Sequence, residues 1–120
     1  MSAVAVVNRY LKTFYSGDFA AARALVAETF QFKGPFVEAP NRDAYFNSAA
    51  PLAQVVRGHH LLHQWQDGDD VCSIYDVALR TAVGEGVVTM CEWDKVKGEL
   101  LQSSRLILDT AAFRALMPAR

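Results

Sequence analysis

The sequence predicts an α+β fold, with N-terminal helices packed on the concave face of a curved antiparallel sheet. Three observations predict it. Apolar residues in the first half recur at helical spacing. From Arg57 the pattern changes to alternation with period two. The glycine turns Asp67-Gly68, Gly84-Glu85-Gly86 and Lys97-Gly98 then divide the second half into four long segments. Helices followed by strands is the order of an α+β domain.

Residues 3–16 read as the first helix, with Ala3, Val6, Val7, Tyr10, Leu11 and Phe14 on one buried face. Ser16-Gly17 stops it, because glycine suits the left-handed position after a helix end. Asp18 caps a second, alanine-rich helix over 19–28, with Phe19, Ala22 and Val26 inward. Phe30-Gln31-Phe32 alternates like a short strand, and Gly34-Pro35 ends it. Asn41 caps a third helix over 42–50, which ends or kinks before Pro51. Strands follow near 57–66, 70–82, 86–97 and 100–109, joined by short turns into a meander. Such long strands twist and curve strongly, and helices across the concave side leave a cone-shaped cavity. Asp109 caps a last helix from Thr110 to Met117, which Pro118 stops.

The 120 residues make a single domain, 1–120, and 52% hydrophobic with 11% aromatic residues is enough for a real core. A net charge of −1 with scattered Lys and Arg excludes a basic field, so neither nucleic acid nor an anionic membrane is an expected partner. The N-terminus lacks a basic n-region and is interrupted by Asn8, Arg9 and Lys12, so it does not read as a signal peptide. No apolar run approaches the roughly 20 residues a membrane span needs. The expectation is a cytoplasmic protein. Cys72 and Cys91 then read as buried thiols in a reducing compartment, with a disulfide as the alternative. The glycines form no phosphate cradle, and there is no Gly-x-Ser-x-Gly elbow. No cofactor is expected.

Four features together resemble the nuclear transport factor 2-like superfamily, in its SnoaL-like branch. They are the opening helix with its Tyr15-Ser16-Gly17-Asp18 turn, the strand Phe30-Gln31-Phe32, the Arg42 helix start after a Pro-rich loop, and Lys97-Gly98-Glu99-Leu100 followed by Arg105–Asp109 before a short helix. The resemblance covers nearly the whole chain and implies a cystatin-like cone. It does not imply one activity, because that fold hosts isomerases, cyclases, hydrolases, dehydratases and binders. Against ketosteroid isomerases, Tyr10 matches the oxyanion-hole tyrosine, and Glu92 approximately matches its acidic partner. The general-base aspartate would precede Pro35-Phe36, where this chain has Gly34. Glycine cannot move a proton, and Glu38 lies four residues away. Ketosteroid isomerase chemistry by that mechanism is therefore not expected.

The candidate catalytic residues are Tyr10, Glu92, His63 and Asp94; Tyr10, Phe14, Phe32, Tyr45 and Arg105 are the candidate ligand contacts. Tyr10 is either a buried structural tyrosine or a hydrogen-bond donor to a ligand oxygen. Strand alternation puts Glu92 and Asp94 on one face, where two buried acids would raise each other's pKa. Asp94, nearer the strand end, also reads as solvated. Arg105 shares a face with Ser103 and Ile107, and either pairs with Glu92 or lies on the surface. On a strand, His59, Leu61, His63 and Trp65 share one face and His60 lies on the other. No third ligand is fixed by spacing, so no metal site is read. A single inward histidine is the cheapest replacement for the missing base, and His63 is preferred over His60.

The functional expectation is a small-molecule pocket protein, with chemistry of the isomerase, cyclase or hydrolase type on an apolar, oxygen-bearing organic ligand. The alternative is a non-catalytic ligand-binding or dimerisation module, pairing as a homodimer through an outer sheet face that carries Cys72, Ile74, Ala78 and Trp93. A more distant reading follows the limonene epoxide hydrolases, whose Asp-Arg-Asp set has its residue types here in Arg80, Arg105, Glu92, Asp94 and Asp109, at different spacing.

Overall fold

In a computed structural model that describes residues 1–118, Ser2 starts the first helix: its Oγ accepts the amide of Ala5 at 3.1 Å. This helix, α1 (Ala3–Tyr15), buries Val6, Val7, Tyr10, Leu11 and Phe14 as its spacing predicts. Gly17 ends it with φ +85°, the Gly17 amide donating to Phe14 and the Asp18 amide to Thr13. That pair of bonds is a Schellman closure, and it fixes the angle at which the chain leaves the helix.

Helix α2 is shorter than the sequence predicts. It spans Phe19–Arg23, and strand β1 already runs over Val26–Lys33. The alanines favour helix only weakly, whereas Val26 pairs with Leu101 and Leu25 accepts the Leu101 amide at 2.9 Å. Tertiary pairing overrides propensity here. A tight turn at Gly34–Val37 leads into the two-residue β2 (Glu38–Ala39). Asn41 caps α3 (Arg42–Ala49), and Pro51 falls in a following 3₁₀ turn, Ala50–Gln54.

The meander is present: β3 (Val56–Asp67), β4 (Asp70–Arg80), β5 (Glu85–Lys97) and β6 (Leu100–Leu108) pair antiparallel in sequence order. The sheet order is β2-β1-β6-β5-β4-β3, curved and unclosed. The β1–β6 pairing is parallel, which local patterning did not foretell. Asp109 caps α4 (Thr110–Leu116) through its Oδ1. No helix among the described residues is long and apolar enough to cross a membrane.

The inner face is written by strict alternation. Val71, Ser73, Tyr75, Val77 and Leu79 of β4 and Val88, Met90, Glu92, Asp94 and Val96 of β5 point toward the helices and are buried. The opposite residues, including Trp93, Ile107 and Val87, remain exposed on the outer face. Cys72 and Cys91 are free and half-buried on that outer face, with their Sγ atoms 3.7 Å apart, rather than interior as the sequence reading had them.

Candidate functional site

A cavity of about 170 Å³ opens between α1, α3, α4 and the inner face of β5 and β6. Its wall is almost wholly apolar, with Phe14, Phe32, Tyr45, Met90 and Leu106 among its residues. Glu92 is the one carboxyl side chain that reaches it. Phe14, Phe32 and Tyr45, all expected as ligand contacts, do line this wall, with the Phe32 and Tyr45 ring centres 4.7 Å apart.

Behind the wall lies a buried polar network. Tyr75 Oη donates to Glu92 Oε1 at 3.1 Å. Tyr15 Oη lies 3.0 Å from Tyr75 Oη and 3.6 Å from Met90 Sδ. Ser104 Oγ donates to Asp94 Oδ1. Glu92 is 3% exposed and Asp94 0%, so neither acid is solvated. Asp94 was also read as solvated near its strand end. It is buried because it lies in phase with Glu92 on the face that the helices cover.

Burial pushes both carboxyls above their ordinary values, and the neighbouring Glu92 charge raises Asp94 well above its own. Glu92 Oε2 and Asp94 Oδ2 are buried without a hydrogen-bond partner. A proton shared by the two acids would relieve that cost, and such a proton belongs to the pair rather than to either residue. Burial also raises the phenols of Tyr10, Tyr15, Tyr45 and Tyr75, which stay protonated donors.

Tyr10 is fully buried, but its hydroxyl meets Tyr45 Oη at 2.7 Å and does not border the cavity. It stands behind Tyr45, which presents the ring to the wall. His63 is exposed and packs against Trp65 on the outer side, ring centres 4.3 Å apart, so it is not a pocket base. The cause is a bulge: Leu61 pairs with Tyr75 and His63 with Ile74, which leaves Leu62 extra and flips the phase of everything after it. The inward histidine is His59, half-buried between Tyr15 and Tyr75, its pKa lowered chiefly by burial. Arg105 pairs across the strands with Trp93 and is exposed on the outer face, so it reaches neither Glu92 nor the cavity.

Gly34 lies at the end of β1, packed against Phe32: a Cβ there would stand 3.0 Å from Phe32 Cε1. Glu38 is exposed and faces an outer groove, so it supplies no base in its stead. Tyr15, Tyr75 and Ser104 were not among the expected residues. For Tyr75 the signal was present, since it alternates in phase with Val71, Ser73 and Val77.

The helices over an open, curved sheet and the aromatic cone they enclose define the nuclear transport factor 2-like fold. Three solved structures show the likeness over nearly the whole chain. One is a nuclear transport factor 2-like protein of unknown function from Burkholderia pseudomallei, at 13% identity, covering 99% of this chain and 100% of that one, TM-score 0.84. Another is a putative SnoaL-like polyketide cyclase from Shewanella denitrificans, at 11% identity, covering 95% of each chain, TM-score 0.81. The third is an epoxide hydrolase of the limonene epoxide hydrolase-like type from M. tuberculosis, at 17% identity, covering 95% of this chain and 88% of that one, TM-score 0.80. No protein-family model matches the sequence, and no curated protein sequence matches it.

Proposed function

We propose that this chain is a small-molecule pocket protein whose cavity takes an apolar, oxygen-bearing molecule and presents it to the Glu92–Asp94 acid pair. The observation that carries this reading is a pair of buried carboxyls with unpartnered oxygens, one member at the wall of an otherwise apolar cavity. A ligand oxygen that reaches the Glu92 carboxyl meets a group able to donate a hydrogen bond or pass on the pair's proton. Tyr75 and Tyr15 hold the acid in place, and Tyr10 holds Tyr45. Turnover at such a site would be of the isomerase, cyclase or hydrolase type, beginning with protonation of a carbonyl or epoxide oxygen. Proteins carrying cyclase and epoxide hydrolase names share the fold, which supports that range without choosing within it.

The volume matches about one six-membered ring, so cyclohexanone and methylcyclohexane are suitable probes, titrated by NMR. The ketone should bind about five- to tenfold tighter than the hydrocarbon, the value of one added hydrogen bond. Glu92→Leu should abolish that preference, and Glu92→Gln, which keeps a donor, should retain much of it. A parent protein that does not favour the ketone, or a Leu variant that still does, sinks the reading.

A second reading rests on a different observation. The outer sheet face exposes Ile107, at 63%, in one row with Cys91 and Ile74, and Trp93 with Cys72 forms the next row. Isolated exposed apolar residues are ordinary, but a contiguous set on one sheet face fits pairing with a second copy.

A further inference from the structure

The outer face carries a second concavity, a groove of about 630 Å³ at the β1/β6 edge. It is separated from the inner cavity by the sheet itself. Strand register builds it: Lys33 pairs with Arg105, and Arg105 with Trp93, so the three side chains form one row on the same face. Lys95 and Ser103 form the next row. Lys33 and Arg105 make no ion pair among the described residues, while Lys95 sits 3.9 Å from Asp70. Among the described residues, Glu38, opposite Lys33, is the only carboxylate in the lining, against three cations.

Two cations directly opposite each other on a sheet repel, and an anion placed between them turns that repulsion into attraction. Arginine supplies a planar fork for a carboxylate or phosphate, and lysine a mobile point charge beside it. The Trp93 ring is 50% exposed, and its Nε1 donates to Asp70 Oδ1 at 3.0 Å, which fixes the ring as a flat platform next to the charges. Charge and platform together define what fits: an anionic oxo head with a planar apolar body.

We propose that this groove is a second ligand site, binding a small organic anion with its carboxylate or phosphate head on Arg105 and Lys33 and its planar body against Trp93. It is independent of the reading given for the inner cavity.

The chain has two tryptophans, so Trp65→Phe leaves Trp93 as the sole indole emitter. Benzoate and phenyl phosphate, titrated into that variant, should change Trp93 emission saturably; a response to either head group supports the site. Inorganic phosphate and phenol, each half of the ligand, should bind about tenfold or more weakly. Lys33→Gln with Arg105→Gln should weaken the aryl anion about tenfold or more, as added salt should also do. Both side chains are exposed, and an unchanged circular dichroism spectrum certifies the folded variant. The proposal is overturned if neither aryl anion binds, or if binding survives loss of both cations. It is equally overturned if sedimentation shows that the two cations hold a second copy of the chain instead.

Discussion

At the scale of single residues, the unusual feature is two acids on one strand face, two positions apart, both out of water. The folded chain holds more protons on Glu92 and Asp94 than the unfolded chain does, because both values lie above the ordinary 4.5 and 3.8. The pair's stabilising contribution is therefore complete below those ordinary values and is lost as pH rises through the raised ones. Asp94→Asn keeps an acceptor for Ser104 and removes one of the titrating protons. Melting temperatures should then shift in the variant's favour, relative to the parent, as pH rises above the ordinary carboxylate range. Parallel curves for the two proteins would mean the pair does not titrate as argued. His59 contributes in a different sense: its lowered pKa keeps the ring neutral against Tyr15, so it packs rather than acts as an acid.

At the scale of elements, small irregularities decide which side chains reach the cavity. One extra residue at Leu62 turns His63 outward and leaves His59 as the inward histidine. The Gly34–Val37 turn brings Phe36 onto Phe113 of α4, ring centres 5.2 Å apart, with Arg114 over the Phe36 ring, and these aromatics close one side of the cavity. Gly34 is matched to Phe32 rather than merely lacking a side chain. Gly34→Asp should cost about 1–3 kcal/mol, since the new Cβ meets the Phe32 ring at 3.0 Å. In a denaturation cycle, Phe32→Leu with Gly34→Asp should be less destabilised than the sum of the two single variants. An aspartate tolerated at no cost would show that the glycine is incidental.

At the scale of the whole molecule, one curved sheet has two chemically different faces. The concave face under the helices is apolar with a buried acid pair, and the outer face is apolar at its centre and basic at one edge. If the centre pairs with a second copy, sedimentation of the intact chain should give a dimer, and Ile107→Lys with Val87→Lys should give a monomer with unchanged secondary structure. A parent that stays monomeric at high concentration rejects that pairing.

The sequence by itself determined the architecture. Helical spacing, period-two alternation, capping residues and glycine turns are local signals, and each acts through a few neighbouring backbone bonds. They were enough to place α1, α3, α4 and all four long strands, and to put Glu92 and Asp94 on a common face. What only the tertiary structure decided depends on non-local pairing. Whether that common face was concave was set by α1 covering the sheet, which buried Asp94 and exposed Arg105. The shortened α2 was set by β1 pairing with β6, some seventy-five residues later. His63 was moved by a bulge that alternation cannot register, because a two-residue period has no memory of an inserted residue. The cone was legible in the sequence; which side chains line it was not.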